Sequence, residues 1–165
     1  MADLVQKITP MLWFDSQAEE AARFYVSIFK DSRMGRVARY GEAGPGPAGS
    51  AMTVEFVIEG QTFTALNGGP IYTFTEAISF VVACRDQAEV DYYWDRLIVG
   101  GPVEAQQCGW RKDRFGVSWQ IVPDARGALA SDPDPVKAQR TVAAMLQMKK
   151  LDVAALQAAH DGAGV

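Results

Sequence analysis

Ile8-Thr9-Pro10-Met11-Leu12-Trp13-Phe14-Asp15-Ser16-Gln17-Ala18-Glu19 is the stretch that decides the fold, because a second version of it begins at Ile78. Ile8 to Phe14 is short, apolar and bounded by turn residues, the pattern of a buried strand. Asp15-Ser16 is expected to cap a helix, with Glu19 and Glu20 in its first turn, where the helix dipole favours negative charge. The helix is predicted to run to about Phe29, with Ala21, Phe24, Tyr25 and Ile28 on one apolar face. Shifted by 70, Ile8 falls on Ile78, Thr9 on Ser79, Leu12 on Val82, Phe24 on Trp94, and Gln17-Ala18-Glu19 on Gln87-Ala88-Glu89. Shifted by 56, Gly60 falls on Gly116 and Thr62-Phe63 on Ser118-Trp119. The offsets differ because the first half carries a longer loop, so what repeats is the order of elements.

Working outward, each half reads as strand, helix and three strands. In the first, strands are predicted at Arg33 to Tyr40, Met52 to Glu59 and Thr62 to Asn67. Gly41 to Ser50, with four glycines and two prolines, is an irregular, mobile loop. Met52, Val54, Phe56 and Ile58 alternate with Thr53, Glu55, Val57 and Glu59, which turns one face to a core. Glu59-Gly60-Gln61 is a hairpin turn. In the second half, Ala77 to Cys84 is a strand, Asp86 caps a helix to about Val99, and Gly100-Gly101-Pro102 stops it. Strands are then expected near Val103 to Cys108, near Trp110 to Asp113 and at Val117 to Val122. Asp132-Pro133-Asp134-Pro135 starts a helix from Val136 to about Lys149. Asp152 caps a second, through Ala159, and this tail is expected to pack on the body or on a partner subunit. The organisation is therefore residues 1–70, residues 71–125 fused to them, and a helical tail over 126–165.

Composition narrows the function. Hydrophobic residues are 48% and charged residues 22%, ordinary for a globular protein. A net charge of -4 with no basic block argues against nucleic acid, which needs clustered Lys and Arg. No apolar run approaches the roughly 18 residues that cross a bilayer, so no membrane partner is expected. Residues 1–7 carry no signal-peptide pattern. Cys84 and Cys108 form neither a framework nor a Cys-x-x-Cys pair, which fits a reducing cytoplasm.

Several segments together resemble one family. They are Ile8 to Phe14, Ala18-Glu19-Glu20-Ala21-Ala22 with Phe24-Tyr25, Ala65 to Pro70, Glu76 to Phe80, Cys108-Gly109-Trp110, Lys112 to Pro123, and Met145 to Leu151. The chain is similar to the vicinal oxygen chelate (glyoxalase/bleomycin-resistance/dioxygenase) superfamily. Within it, the chain resembles the PhnB-like group labelled 3-demethylubiquinone-9 3-methyltransferase. The resemblance implies an α+β fold, with tandem βαβββ units forming a cupped eight-stranded mixed sheet. It also implies a homodimer.

In metal-using members each unit gives one ligand from its first strand and one from its last. By pattern these positions fall here at Thr9, Thr64, Ser79 and Gln120. None is His, Asp, Glu or Cys, and a neutral hydroxyl or amide is a poor ligand for a divalent transition metal. The only histidine, His160, lies in the tail and is expected at the surface. No metal and no cofactor is therefore expected. The methyltransferase label lacks a Gly-x-Gly turn between strand and helix that would cradle a nucleotide-like cofactor.

What remains is a polar-floored, aromatic-walled pocket. Trp13, Phe74 and Trp110 are its candidate walls, and Thr9, Thr64, Asn67, Ser79 and Gln120 its candidate hydrogen-bonding groups. The tryptophans equally suit a core between sheet and helix. Glu55 is a candidate base if desolvated. Cys108 lacks a neighbouring base and reads as a structural thiol, and Lys112-Asp113-Arg114 reads as a charged hairpin turn. No catalytic residue is assigned. The expected function is a metal-free small-molecule-binding protein or an enzyme of unproven reaction. Two alternatives stand beside it: a divalent-metal-dependent glyoxalase- or dioxygenase-type enzyme using carboxylates, and an interaction protein with a vestigial pocket.

Overall fold

The computed structural model describes residues 6–163. The chain divides into two compact units, one ending at Phe74 and the other beginning at Thr75.

In the first unit, strand β1 (Met11–Phe14) leads to helix α1 (Ala18–Ile28), followed by β2 (Arg33–Arg39), β3 (Ala51–Ile58) and β4 (Gln61–Asn67). They form one mixed sheet in the order β1-β4-β3-β2, parallel between β1 and β4 and antiparallel elsewhere. Small side chains let α1 lie close on this sheet. Ala18, Ala21, Ala22, Tyr25 and Ile28 are its buried face, and Leu12, Phe14, Val54, Phe56, Phe63 and Ala65 are buried from the strands. Phe56 stacks between Tyr25 and Phe63, with ring centres 6.1 and 5.4 Å away. Each large side chain so buried contributes roughly 2–3 kcal/mol. The β3–β4 hairpin turns on Glu59 and Gly60, both at positive φ (47° and 76°), as a two-residue turn of the twist-matched type requires.

The cap of α1 differs from the expected one. Gln17 is the N-cap residue and its side chain makes no capping bond. Asn67, at the far end of β4, supplies the acceptor instead: its Oδ1 takes the Ala18 N–H at 2.8 Å. Asp15 and Ser16 stay exposed.

The second unit runs β5 (Phe80–Cys84), α2 (Gln87–Leu97), β6 (Trp110–Lys112) and β7 (Ser118–Pro123), then helices α3 (Asp124–Ala130), α4 (Pro135–Leu146) and α5 (Val153–Asp161). Its sheet order is β5-β7-β6. Asp86 caps α2 through the Glu89 N–H, and Asp152 caps α5 through the Ala155 N–H. Val90, Tyr93, Trp94 and Leu97 of α2 are buried, as are Cys84, Trp119 and Ile121 of the strands.

The repeat is visible in the hydrogen-bonding register. Met11, Leu12, Trp13 and Phe14 pair with Thr64, Ala65, Leu66 and Asn67. Val81, Val82, Ala83 and Cys84 pair with Gln120, Ile121, Val122 and Pro123. Adding 70 to the first strand and 56 to the last converts one register into the other, residue for residue. The pairing of first strand with last is therefore the same in both units.

The eight-stranded expectation needs one correction: seven strands occur among the described residues. Val103 to Cys108, predicted as a strand, is a 3-10 turn at Val103–Ala105 followed by a tight reversal. Gln107 and Trp110 exchange backbone hydrogen bonds at 3.1 and 2.7 Å. Cys108 and Gly109 between them sit at φ 52° and 83°, so this is again a two-residue left-handed turn. A reversal at Cys108-Gly109 leaves only Gln107 opposite Trp110, too little for a ladder.

The tail packs on the body of its own unit. Leu129, Leu151 and Leu156 form a buried cluster with Ala125, Met145 and Met148 against it. Met148 and Lys149 carbonyls accept from the N–H groups of Cys108 and Gly109, each at 2.8 Å. Gln87 binds the tail twice, donating to the Leu151 carbonyl at 3.2 Å and accepting from the Val153 N–H at 2.8 Å. Expected at the surface, His160 is instead 8% exposed, because its ring lies between Asp132 and Asp161, 3.0 and 3.1 Å from its nitrogens. Among the described residues, no helix is long and apolar enough to cross a membrane.

Candidate functional site

In the second unit the period of two places Ser79, Val81 and Ala83 on the sheet face opposite α2, with Ser118, Gln120 and Val122 from β7 and Trp110 and Lys112 from β6. Three sequence-predicted residues meet here. Gln120 Nε2 donates to Ser79 Oγ at 2.9 Å, and Trp110 is the cross-strand partner of Gln120. Beside them is a cavity of about 360 Å³, lined by Trp110, Lys112, Ser118, Cys108, Gln107 and Glu104, with Glu76 at its edge.

The polar groups of this cavity are unevenly satisfied. Lys112 pairs with Glu76, and this ammonium holds the Glu76 carboxyl below the usual carboxylate range. Lys112 is the inner partner, its side chain 24% exposed against 62% for Glu76. Ser118, 2% exposed, has a hydroxyl with no hydrogen-bond partner. Leaving such a group unpaired costs about 1–3 kcal/mol. Cys108 enters the wall on a backbone conformation that favours glycine or asparagine.

Beneath this face, Arg111 points the other way and is 1% exposed. Its Nη1 donates to the Trp94 carbonyl at 3.4 Å, and its guanidinium carbon lies 5.0 Å from the Trp94 ring centre. Burial pushes its pKa down to about 10, against the pull of Asp113 and Asp95. Asp113, also 1% exposed, accepts from the Phe115 and Val117 N–H groups at 2.8 and 3.0 Å and from Trp119 Nε1 at 2.9 Å. Those bonds make Asp113 the organiser of the β6–β7 turn.

In the first unit, Trp13 and Thr64 share the sheet face opposite α1 with Met11 and the exposed Glu55, across the row Met11-Thr64-Glu55. Trp13 is held by the Gly69 carbonyl, which accepts from its Nε1 at 2.8 Å, and by an edge contact with Tyr72 at 5.0 Å. A Cβ on Gly68 would come within 2.2 Å of the Trp13 ring, so only glycine permits this packing. Phe74 packs edge-on to Phe14 at 5.2 Å. Thr9 is exposed and precedes β1. The Asn67 amide is committed to the protein: besides capping α1, its Nδ2 donates to the Ala51 carbonyl at 3.0 Å. A second cavity of about 380 Å³ lies between Asp15, Ser16, Tyr40, Gly46 and Asn67. The loop from Gly41 to Ser50 folds over the Tyr40 ring, whose hydroxyl donates to the Asn67 carbonyl at 2.5 Å.

Lys112 and Ser118 were not singled out from the sequence as ligand-binding residues. The signal was present, since positions 110 and 112, like 118 and 120, share a face by alternation. Among the described residues, no group of three His, Cys, Asp or Glu side chains is placed to hold a metal ion.

The fold and the repeated register define an α+β protein in which a βαβββ unit is followed by a unit of the same register with three strands. The chain belongs to the 3-demethylubiquinone-9 3-methyltransferase family, whose profile matches residues 6–122. The PhnB protein of Bacillus cereus is 34% identical over 72% of this chain and 99% of its own, with a TM-score of 0.65. A Pseudomonas aeruginosa protein shares the fold at 22% identity over 72% of this chain and 97% of that one, TM-score 0.56. A glyoxylase/bleomycin resistance protein/dioxygenase domain from Frankia sp. is 16% identical, covering 72% of this chain and 92% of that one, with a TM-score of 0.45. No curated protein matches the chain. The tail segment Met145 to Leu151 lies beyond the matched stretch.

Proposed function

We propose that the protein binds a small organic molecule in the cavity beside Trp110, without a resident metal ion, and works as a homodimer in the cytoplasm. One observation carries the reading: an open cavity of about 360 Å³ in which an aromatic wall adjoins a buried, unpartnered hydroxyl. Such pairing of apolar wall and few polar groups is what small-molecule sites use. The metal-free part is supported by donor chemistry. Thr9, Thr64, Ser79 and Gln120 offer neutral groups, and the Ser79 and Gln120 side chains are bonded to each other. Trp13, Thr64, Asn67 and Phe74 are retained as a secondary candidate set on the first unit. No reaction is assigned; the family name by itself supplies none.

Two measurements test this. Elemental analysis of protein purified without chelator should find no stoichiometric metal. Bound metal that disappears in Glu55→Gln would establish the carboxylate metalloenzyme reading instead. A metabolite library screened by native mass spectrometry should give one-to-one complexes that Trp110→Ala weakens. Absence of any specific binder would favour the interaction-protein reading.

A further inference from the structure

The cavity of the second unit carries information about the charge of its occupant. Lys112 and Ser118 are cross-strand partners on one face, which sets their Cβ atoms about 5 Å apart. Both therefore reach a single bound group. One is a buried hydroxyl without a partner, and the other is an ammonium whose present partner, Glu76, stands mostly in solvent. An exposed ion pair of this kind is worth about 0–1 kcal/mol, so an incoming anion replaces Glu76 at little cost. The buried guanidinium of Arg111 on the neighbouring residue is offset by the buried Asp113 carboxylate and by Asp95, so the positive charge offered to the cavity is that of Lys112. The carboxylates of Glu104 and Glu76 are exposed and lie at the rim. Trp110 offers a flat apolar wall.

We propose that the cavity takes a small organic anion, a carboxylate being the simplest, whose charged end displaces Glu76 from Lys112 and accepts the Ser118 hydroxyl while its apolar body lies on Trp110. The inference rests on the cavity being the binding site and adds the class of ligand. Glu76 then acts as a stand-in that keeps Lys112 neutralised between ligands, and the site excludes amines, which Lys112 repels.

The test compares benzoate and phenylacetate with benzamide and phenylacetamide, by calorimetry and by ligand-observed NMR, on wild type and three variants. The acids should bind at least about tenfold more tightly than their amides. Lys112→Met should abolish this preference, Ser118→Ala should weaken acid binding about fivefold to tenfold, and Glu76→Gln should strengthen it by freeing Lys112. Thermal melts confirm that each variant is folded, and Glu76→Gln, on an exposed residue, guards against loss of fold. Amides that bind as well as acids, or weaker acid binding in Glu76→Gln, would overturn the anion class and leave the cavity as the site. Absence of binding by acids and amides alike would overturn both.

Discussion

Asp113 shows how far a side chain can be from the role its surroundings suggest. Between Lys112 and Arg114 it looks like one charge of a solvated turn, yet it is buried and accepts three hydrogen bonds. Removing a buried carboxylate that satisfies several donors, beside a buried guanidinium, destabilises strongly. Asp113→Ala is expected to lower stability by about 3 kcal/mol or more, measured from the shift of the urea midpoint; a loss below about 1 kcal/mol would contradict the organising role. Its burial was not legible because the sequence does not reveal that Trp119 turns its indole N–H back toward the turn. Trp110 was named from the sequence as a candidate aromatic wall; the structure pairs it with Gln120 across β6 and β7, a placement that the type of residue alone does not reveal.

Among the elements, the strands and helices that recur in both halves were the readable ones, since periodicity and turn residues agree twice over. The failures are instructive in being non-local or chemically unusual. Asp15-Ser16 has the composition of a cap, but the acceptor for α1 comes from Asn67, 49 residues away. The segment from Val103 to Cys108 has strand-like residues, but a reversal at Cys108-Gly109 cuts it short. Cysteine at the first left-handed position hides a signal that asparagine there would have announced. The capping assignment has a direct check. Asn67→Ala should cost about 1–2 kcal/mol, and Asn67→Asp, which keeps the acceptor for Ala18 and loses only the donor to Ala51, should cost less. Equal losses in denaturant titrations would refute it.

For the molecule as a whole, the tail adds the pH dependence. His160 is the chain's one histidine. Its pKa is raised above the ordinary 6.5 by hydrogen bonding to Asp161 first and Asp132 second, which outweighs a small desolvation cost. Asp161 is lowered chiefly by His160, and Asp132 first by the Asp134 N–H and then by His160, with Lys137 adding to both, while Arg140 binds the His160 carbonyl at 2.6 Å. A raised histidine pKa stabilises fully below the unfolded value near 6.5, and the contribution is lost as pH rises through the folded value. Proton NMR should place the His160 midpoint above 6.5. Urea stability should fall as pH rises from about 6.5 through that midpoint, with His160→Gln removing the step. A midpoint at or below 6.5 would contradict the clamp.

Each unit also joins its earliest strand to its latest. Among the described residues β1 pairs with β4, some fifty residues downstream (Met11 opposite Thr64); β5 likewise awaits β7. Closing so distant a pair carries a loop-entropy cost that local hairpins escape. On a translating ribosome, β2 and β3 can zip as soon as they emerge, while Met11 to Phe14 stay without their ladder until residue 67 is free. The nascent chain therefore passes through a stage in which a wholly apolar strand is unshielded, and holding that segment soluble falls to whatever meets it at the tunnel mouth.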